Sequence, residues 1–144
     1  MIKFPVDLED IKIHLTRNTF TDPEDNIELT IFGTGEVTVG PFGYSYFDEE
    51  RKLISTSNIV RDLIAEAMEI GFFEMKSDFS EASVLHITSE GTLDEGFEEM
   101  LDGTQIDISI KVGNTKHSIY AHWGYPKRLE EFLNHIFIVC GLAE

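Results

Sequence analysis

The stretch "QIDISIKVGNTKHSIYAHWG", residues 105 to 124, decides the fold because it encodes a β-hairpin with one apolar face. Aliphatic and polar residues alternate on both sides of Gly113-Asn114, which is the period of a half-buried strand. A two-residue turn there places Val112 opposite Thr115 and gathers the isoleucines on one side. The wet face then carries Asp107, Ser109, Lys111, Lys116, Ser118, Tyr120 and His122.

A second hairpin is encoded by "IELTIFGTGEVTVG", residues 27 to 40. A three-residue loop at Gly33-Thr34-Gly35 places Ile31 opposite Val37, and Gly35 suits the left-handed position that this loop needs. The glycines invite comparison with a phosphate loop. A dinucleotide motif would need glycine where Thr38 stands and a helix after it, so the stretch predicts a turn.

The remaining elements follow from periodicity. "IKIHLT", residues 11 to 16, alternates strictly and predicts a first strand, and "SVLHIT", residues 83 to 88, predicts another. Helical spacing of apolar residues appears in 57 to 71, with a serine cap at Ser57, and in 125 to 141.

A third, short helix is predicted in "TLDEGFEEMLDG", over residues 92 to 102. Thr92 and Glu95 have the spacing of a capping box, and Leu93 and Phe97 begin an apolar series at i, i+4, i+7 and i+8. A calcium loop is the alternative, but its aspartate spacing and its closing glutamate are missing. The outer face of this helix would be acidic: Asp94, Glu95, Glu98, Glu99 and Asp102.

The order of predicted elements is β-β-β-α-β-α-β-β-α within one domain, residues 1 to 144. Hairpins dominate and no β-α-β crossover rhythm appears. The sequence therefore predicts an α+β fold, with a largely antiparallel sheet and two main helices packed on one face.

Charge is the strongest global property of the chain. Eleven Lys and Arg stand against twenty-seven Asp and Glu, for a net charge of −16, and no base occurs between Lys76 and Lys111. This balance argues against nucleic-acid binding, which needs phosphate neutralisation by basic residues. Solubility is one interpretation of the acidic surface, and docking of a basic protein is the other.

Chemistry-bearing motifs are sparse. Cys140 is the single cysteine and sits in an apolar run, so it reads as a core residue. The five histidines show no spacing that predicts a metal site, and no catalytic motif or cofactor signature occurs. An aromatic and histidine surface formed by Tyr44 and Tyr46, or by Tyr120 and His122, is the candidate ligand surface.

The N-terminus lacks the apolar core of a signal peptide, and no apolar run is long enough to span a membrane. These features predict a cytoplasmic protein without a membrane partner.

Several runs in the chain resemble one bacterial family, domain of unknown function 6438. They are "IKIHLTR", "IELTIFGTGEVTVG", "GFFEM" and "ISIKVGNTKHSIYAHWGYPKRLEEFLNHI". The family's Cys-Pro-Tyr element is replaced here by "TFTDPEDNIE", with Pro23 but no cysteine, and residues 83 to 104 look like an insertion. The resemblance implies no activity, cofactor or site, and the frequent export of family members makes export the alternative to the cytoplasm.

Two functional hypotheses follow from these observations. The first is a non-enzymatic interaction or accessory module whose acidic face docks a basic protein, for example as an immunity or inhibitor protein. The alternative is a small-ligand binder or hydrolase that uses the aromatic and histidine surface.

Overall fold

The computed structural model describes residues 2–19, 26–41, 51–54, 56–99 and 104–142. The strands are β1 (Ile11–Asn18), β2 (Ile27–Phe32), β3 (Glu36–Pro41), β4 (Arg51–Ile54), β5 (Asp78–Phe79), β6 (Glu81–Ile87), β7 (Leu93–Glu99), β8 (Gln105–Val112) and β9 (Thr115–Ala121). Helix α1 (Ser57–Glu69) follows β4, and helix α2 (Lys127–Val139) follows β9. Short 3-10 turns occur at Leu8–Asp10 and Phe72–Glu74.

Seven strands form one sheet in the order β4-β3-β2-β1-β8-β9-β5. Its strand pairs are antiparallel except β5 with β9, which run parallel over two residues. The predicted α+β class with a largely antiparallel sheet is therefore confirmed.

Both predicted hairpin registers are observed. Ile31 pairs with Val37 across the three-residue loop, and Gly35 takes a φ of 100°. Val112 pairs with Thr115 across Gly113-Asn114. Turn geometry thus fixes which side of each strand faces inward.

The inward face of the sheet and both helices share one hydrophobic core. Each helix buries a single apolar stripe there, as predicted, and leaves its other face in water. The largest fully buried side chains are Phe72, Phe132, Ile13, Leu15, Leu29, Ile31, Leu63, Ile108, Ile110, Ile119, Leu129 and Leu133.

Helix α1 begins one residue earlier than the predicted serine cap implies. Thr56, not Ser57, is the N-cap, and its Oγ1 accepts a hydrogen bond from the Ile59 amide at 3.3 Å. The threonine provides the same hydroxyl chemistry as a serine cap.

No helix in the described ranges is long and apolar enough to cross a membrane.

The prediction of a short helix over residues 92 to 102 is wrong, because residues Leu93–Glu99 form strand β7. This strand pairs antiparallel with β6 as a separate two-stranded sheet, with Ile87 opposite Leu93 and Val84 opposite Gly96. Pairing with β6 satisfies the backbone of β7, and Gly96 is tolerated there because the His86 ring lies over it. We call Glu81–Glu99 the arm.

Candidate functional site

The arm is closed by an ordered loop between its two strands. The Thr88 amide donates to the Thr92 carbonyl at 2.8 Å, and the two threonine hydroxyls lie 2.6 Å apart. Gly91 adopts a φ of 79°, a left-handed conformation that glycine tolerates without steric cost. Local hydrogen bonds therefore define the arm's tip.

Three large apolar side chains of the arm lie in water. Leu85 is 66% exposed, Ile87 79% and Leu93 68%. They share one face, since Leu85 and Ile87 are two residues apart and Leu93 pairs with Ile87. A clustered apolar surface of this kind is characteristic of contact sites.

Carboxylates accompany this apolar face. Asp94 and Glu95 are exposed residues of β7, where the Asp94 Oδ1 accepts from the Glu95 amide at 2.8 Å. Glu90 lies in the tip loop, where a backbone hydrogen bond and the hydroxyls of Thr88 and Ser89 lower the pKa of its carboxyl.

The single acidic face that was predicted for a helix is not formed, because these residues lie on a strand. On a strand, successive side chains point to opposite sides, so Asp94 and Glu95 do not share a face as they would on one side of a helix. Glu98 and Glu99 continue the strand with only their backbone described, and Asp102 lies outside the described residues.

The second candidate surface is described in part, because Tyr44 and Tyr46 lie outside the described residues. The Tyr120 and His122 rings lie 6.0 Å apart between centroids. His122 is buried and its Nδ1 lies 3.2 Å from the Thr104 carbonyl oxygen. An imidazole held in this way is poorly placed to meet a ligand.

The surroundings of Tyr120 are acidic. Asp107 and Asp78 are its direct neighbours on the two adjacent strands. Burial raises the pKa of the Tyr120 hydroxyl, and both carboxylates raise it further. Burial and then Asp78 also raise the pKa of the Asp107 carboxyl, while His14 opposes them. This surface repels anions and does not activate Tyr120 as a base.

The histidines are dispersed over separate partners. His14 Nε2 lies 2.9 Å from Glu28 Oε2, His135 Nδ1 lies 2.6 Å from Glu66 Oε2, and His117 Nε2 lies 2.7 Å from the Met75 carbonyl oxygen. Within the described ranges, no three metal-ligating side chains converge.

An apolar cleft lies between the first 3-10 turn and helix α1, and sequence periodicity gave no sign of it. It encloses about 270 Å³, and Phe4, Leu8 and Met68 at its margin are 63%, 48% and 45% exposed. Arg61 also lines it, bonded to the neighbouring Asp62. The signal available in the sequence was weak, because Phe4 and Leu8, which line the cleft before β1, belong to no predicted strand or helix.

Comparison of the chain with family models, curated proteins and solved structures finds no match. The resemblance to domain of unknown function 6438 therefore stays a prediction.

Proposed function

We propose that this protein is a non-enzymatic interaction module that docks a basic protein through its arm. The observation that carries the proposal is the exposed apolar face of Leu85, Ile87 and Leu93 on a hairpin outside the main sheet. A free-standing two-stranded sheet gains little stability from leaving such side chains in water. Covering these three side chains with a partner would gain the hydrophobic free energy that the arm alone does not gain.

The charge around the arm supports a basic partner. Nine acids and no base occur between Lys76 and Lys111, and Glu90, Asp94 and Glu95 are exposed beside the apolar residues. Apolar anchors surrounded by a polar rim are the usual anatomy of a protein interface. Carboxylates in that rim favour a basic partner and speed its association. An immunity or inhibitor protein covering a cationic active site is one form of this function.

The test compares capture of basic proteins from lysate by immobilised variants. We expect capture at low ionic strength and its loss at about 0.5 M salt, where screening is strong. Glu90→Gln/Asp94→Asn/Glu95→Gln should weaken capture, and so should Ile87→Ser/Leu93→Ser.

The matched control is Glu69→Gln/Glu74→Gln/Glu131→Gln, which removes three exposed charges elsewhere. If this control loses capture as fully as the arm variant, net charge alone is responsible and the arm has no docking role. Absence of retained protein at low salt would refute the proposal as well.

A small-ligand binder is the second candidate function. The apolar cleft is a better candidate for its binding site than the Tyr120 surface. Its volume of about 270 Å³ is close to the lower end of ligand pockets. Titration with the fluorescent probe 8-anilinonaphthalene-1-sulfonate tests it. The cleft-filling variant Ala65→Phe should abolish the signal while Ile87→Ser/Leu93→Ser retains it, and the reverse pattern would assign the probe to the arm.

A further inference from the structure

Three lysines form a row across the outer face of the main sheet, the face away from the helices. Lys111 on β8 is the direct partner of Lys12 on β1 and of Lys116 on β9. Neighbouring strands lie about 4.8 Å apart, so three positive charges share a span of about 10 Å. We call these residues the lysine row.

Like charges placed directly opposite each other destabilise a sheet. Among the described residues, none of the three ammonium groups forms an ion pair. Carboxylates are abundant in this chain, with twenty-seven Asp and Glu. A row of three lysines without ion pairs is unusual in a protein of net charge −16, and it is a candidate binding site for an anion.

A second row of polar side chains lies beside the first. His14, Ser109 and Ser118 are direct partners across the same three strands. Ser118 Oγ donates to Ser109 Oγ at 3.1 Å, which leaves the Ser109 hydroxyl proton available for another acceptor. His14 Nε2 is held by Glu28.

The two rows line one hollow. Its volume is about 320 Å³, and its walls are Lys12, His14, Ser109, Lys111, Lys116 and Ser118. All three lysines are exposed, so their ammonium groups are accessible from solvent. The hollow thus combines positive charge with hydroxyl groups on three adjacent, well-paired strands.

We propose that this hollow binds a small diphosphate-bearing molecule. Lysine ammonium groups bind phosphate as mobile point charges, whereas planar carboxylates are better matched by the fork of arginine, which the hollow lacks. Two linked phosphates provide enough charge to engage Lys111 together with both neighbours.

Acidic residues restrict the size of this ligand. Glu36 begins β3, the strand next to β2, whose Phe32 pairs with Lys12, and Asp107 lies beyond Ser109 on β8. A long polyanion extending from the hollow would approach these carboxylates. The site therefore selects a compact anion over nucleic acid.

Calorimetric titration with inorganic pyrophosphate tests the proposal, at an ionic strength held constant with sodium chloride. We expect saturable binding to one site, weakened at least about tenfold by Lys111→Gln. Lys127→Gln, which removes an exposed lysine from the start of α2, should bind like the parent protein. Lys111→Gln should also melt at the same or a higher temperature without ligand, since a central repulsion is relieved.

Other results would overturn it. They are pyrophosphate binding that does not saturate, an equal loss in Lys127→Gln, or citrate binding as tightly as pyrophosphate. Amide chemical shifts provide a second measurement: pyrophosphate should perturb β1, β8 and β9 around the hollow, and perturbation confined to other elements would refute the site.

Discussion

Ile87 and Leu93 are direct cross-strand partners at the end of the arm, and both leave more than two thirds of their surface in water. The pair has the register of an ordinary antiparallel sheet contact, but both of its side chains remain exposed. The arm is consequently held by its ladder and its threonine loop rather than by a core.

Truncation of an arm residue should therefore cost little stability. We expect Ile87→Ala to change the free energy of unfolding by no more than about 0.5 kcal/mol, as for ordinary surface positions. The matched variant Ile110→Ala, at a fully buried site, should cost about 2–5 kcal/mol. Urea denaturation measures both, and a large loss in Ile87→Ala would mean that the arm packs against the body.

Gly33 should be far less replaceable than Gly40, at the end of the same hairpin. A Cβ there would lie 2.8 Å from Ile11 Cβ and would collide with the Leu8 carbonyl oxygen. Gly33→Ala should destabilise the protein by about 1–3 kcal/mol through overpacking. Gly40→Ala is the control, because its Cβ meets nothing within 4 Å, and it should be neutral or stabilising in thermal melts. Equal melting temperatures for the two variants would contradict this packing.

Cys140 should resist alkylation in the folded protein. Its side chain is 4% exposed, and burial raises the pKa of the thiol to about 11. At pH 8 only about one thiol in a thousand is the reactive thiolate. We expect iodoacetamide to label Cys140 slowly, but rapidly in guanidinium chloride. Asn134→Cys, at an exposed position of α2, provides the fast reference, and comparable native rates would show that Cys140 is accessible.

Asp107 should make stability depend on acid pH. Burial raises the pKa of its folded carboxyl above the ordinary value of 3.8, so the folded state binds the proton more readily than the unfolded state. The free energy of unfolding should therefore fall as pH rises from 3.8 through the raised pKa.

The variant Asp107→Asn should remove that fall and exceed the parent's stability at neutral pH, with the difference vanishing at about pH 3. Urea denaturation across this pH range checks the effect. Glu69→Gln controls for the loss of one surface charge, and an identical profile in that control would rule out a specific role for Asp107.

The hairpin registers could be predicted because turn chemistry and strand period act locally. Gly35 and the Gly113-Asn114 turn each select a loop length, and the loop length fixes which side chains oppose each other. The apolar stripes of α1 and α2 are local in the same sense. These signals led to the correct α+β class.

The arm was mispredicted because its sequence satisfies two periods at once. Leu93 and Phe97 are four residues apart, which suits a helix, and also an even number apart, which suits one face of a strand. An isolated short helix is marginal, and Gly96 would cost it a further ~1 kcal/mol. Pairing with β6, a tertiary effect, decides the outcome.

Sheet order explains why the lysine row was not foreseen. Lys111 and Lys116 are adjacent in the predicted hairpin, but Lys12 is about a hundred residues away along the chain. Only the placement of β1 beside β8 brings it into line. Sequence periodicity predicts which residues lie side by side within one hairpin. It does not predict which strands that are distant in sequence become neighbours in the sheet.

Ala121 is the shared neighbour of the residues that flank the arm: Phe79 pairs with it from one side and Ile106 from the other. The chain therefore leaves the main sheet and rejoins it about two strand spacings, or ~10 Å, away. A detour with such closely anchored ends can be lengthened, shortened or exchanged without rearranging the scaffold beneath it. Related chains could acquire new recognition properties by grafting a different loop at this point, while the strands of the main sheet stay unchanged.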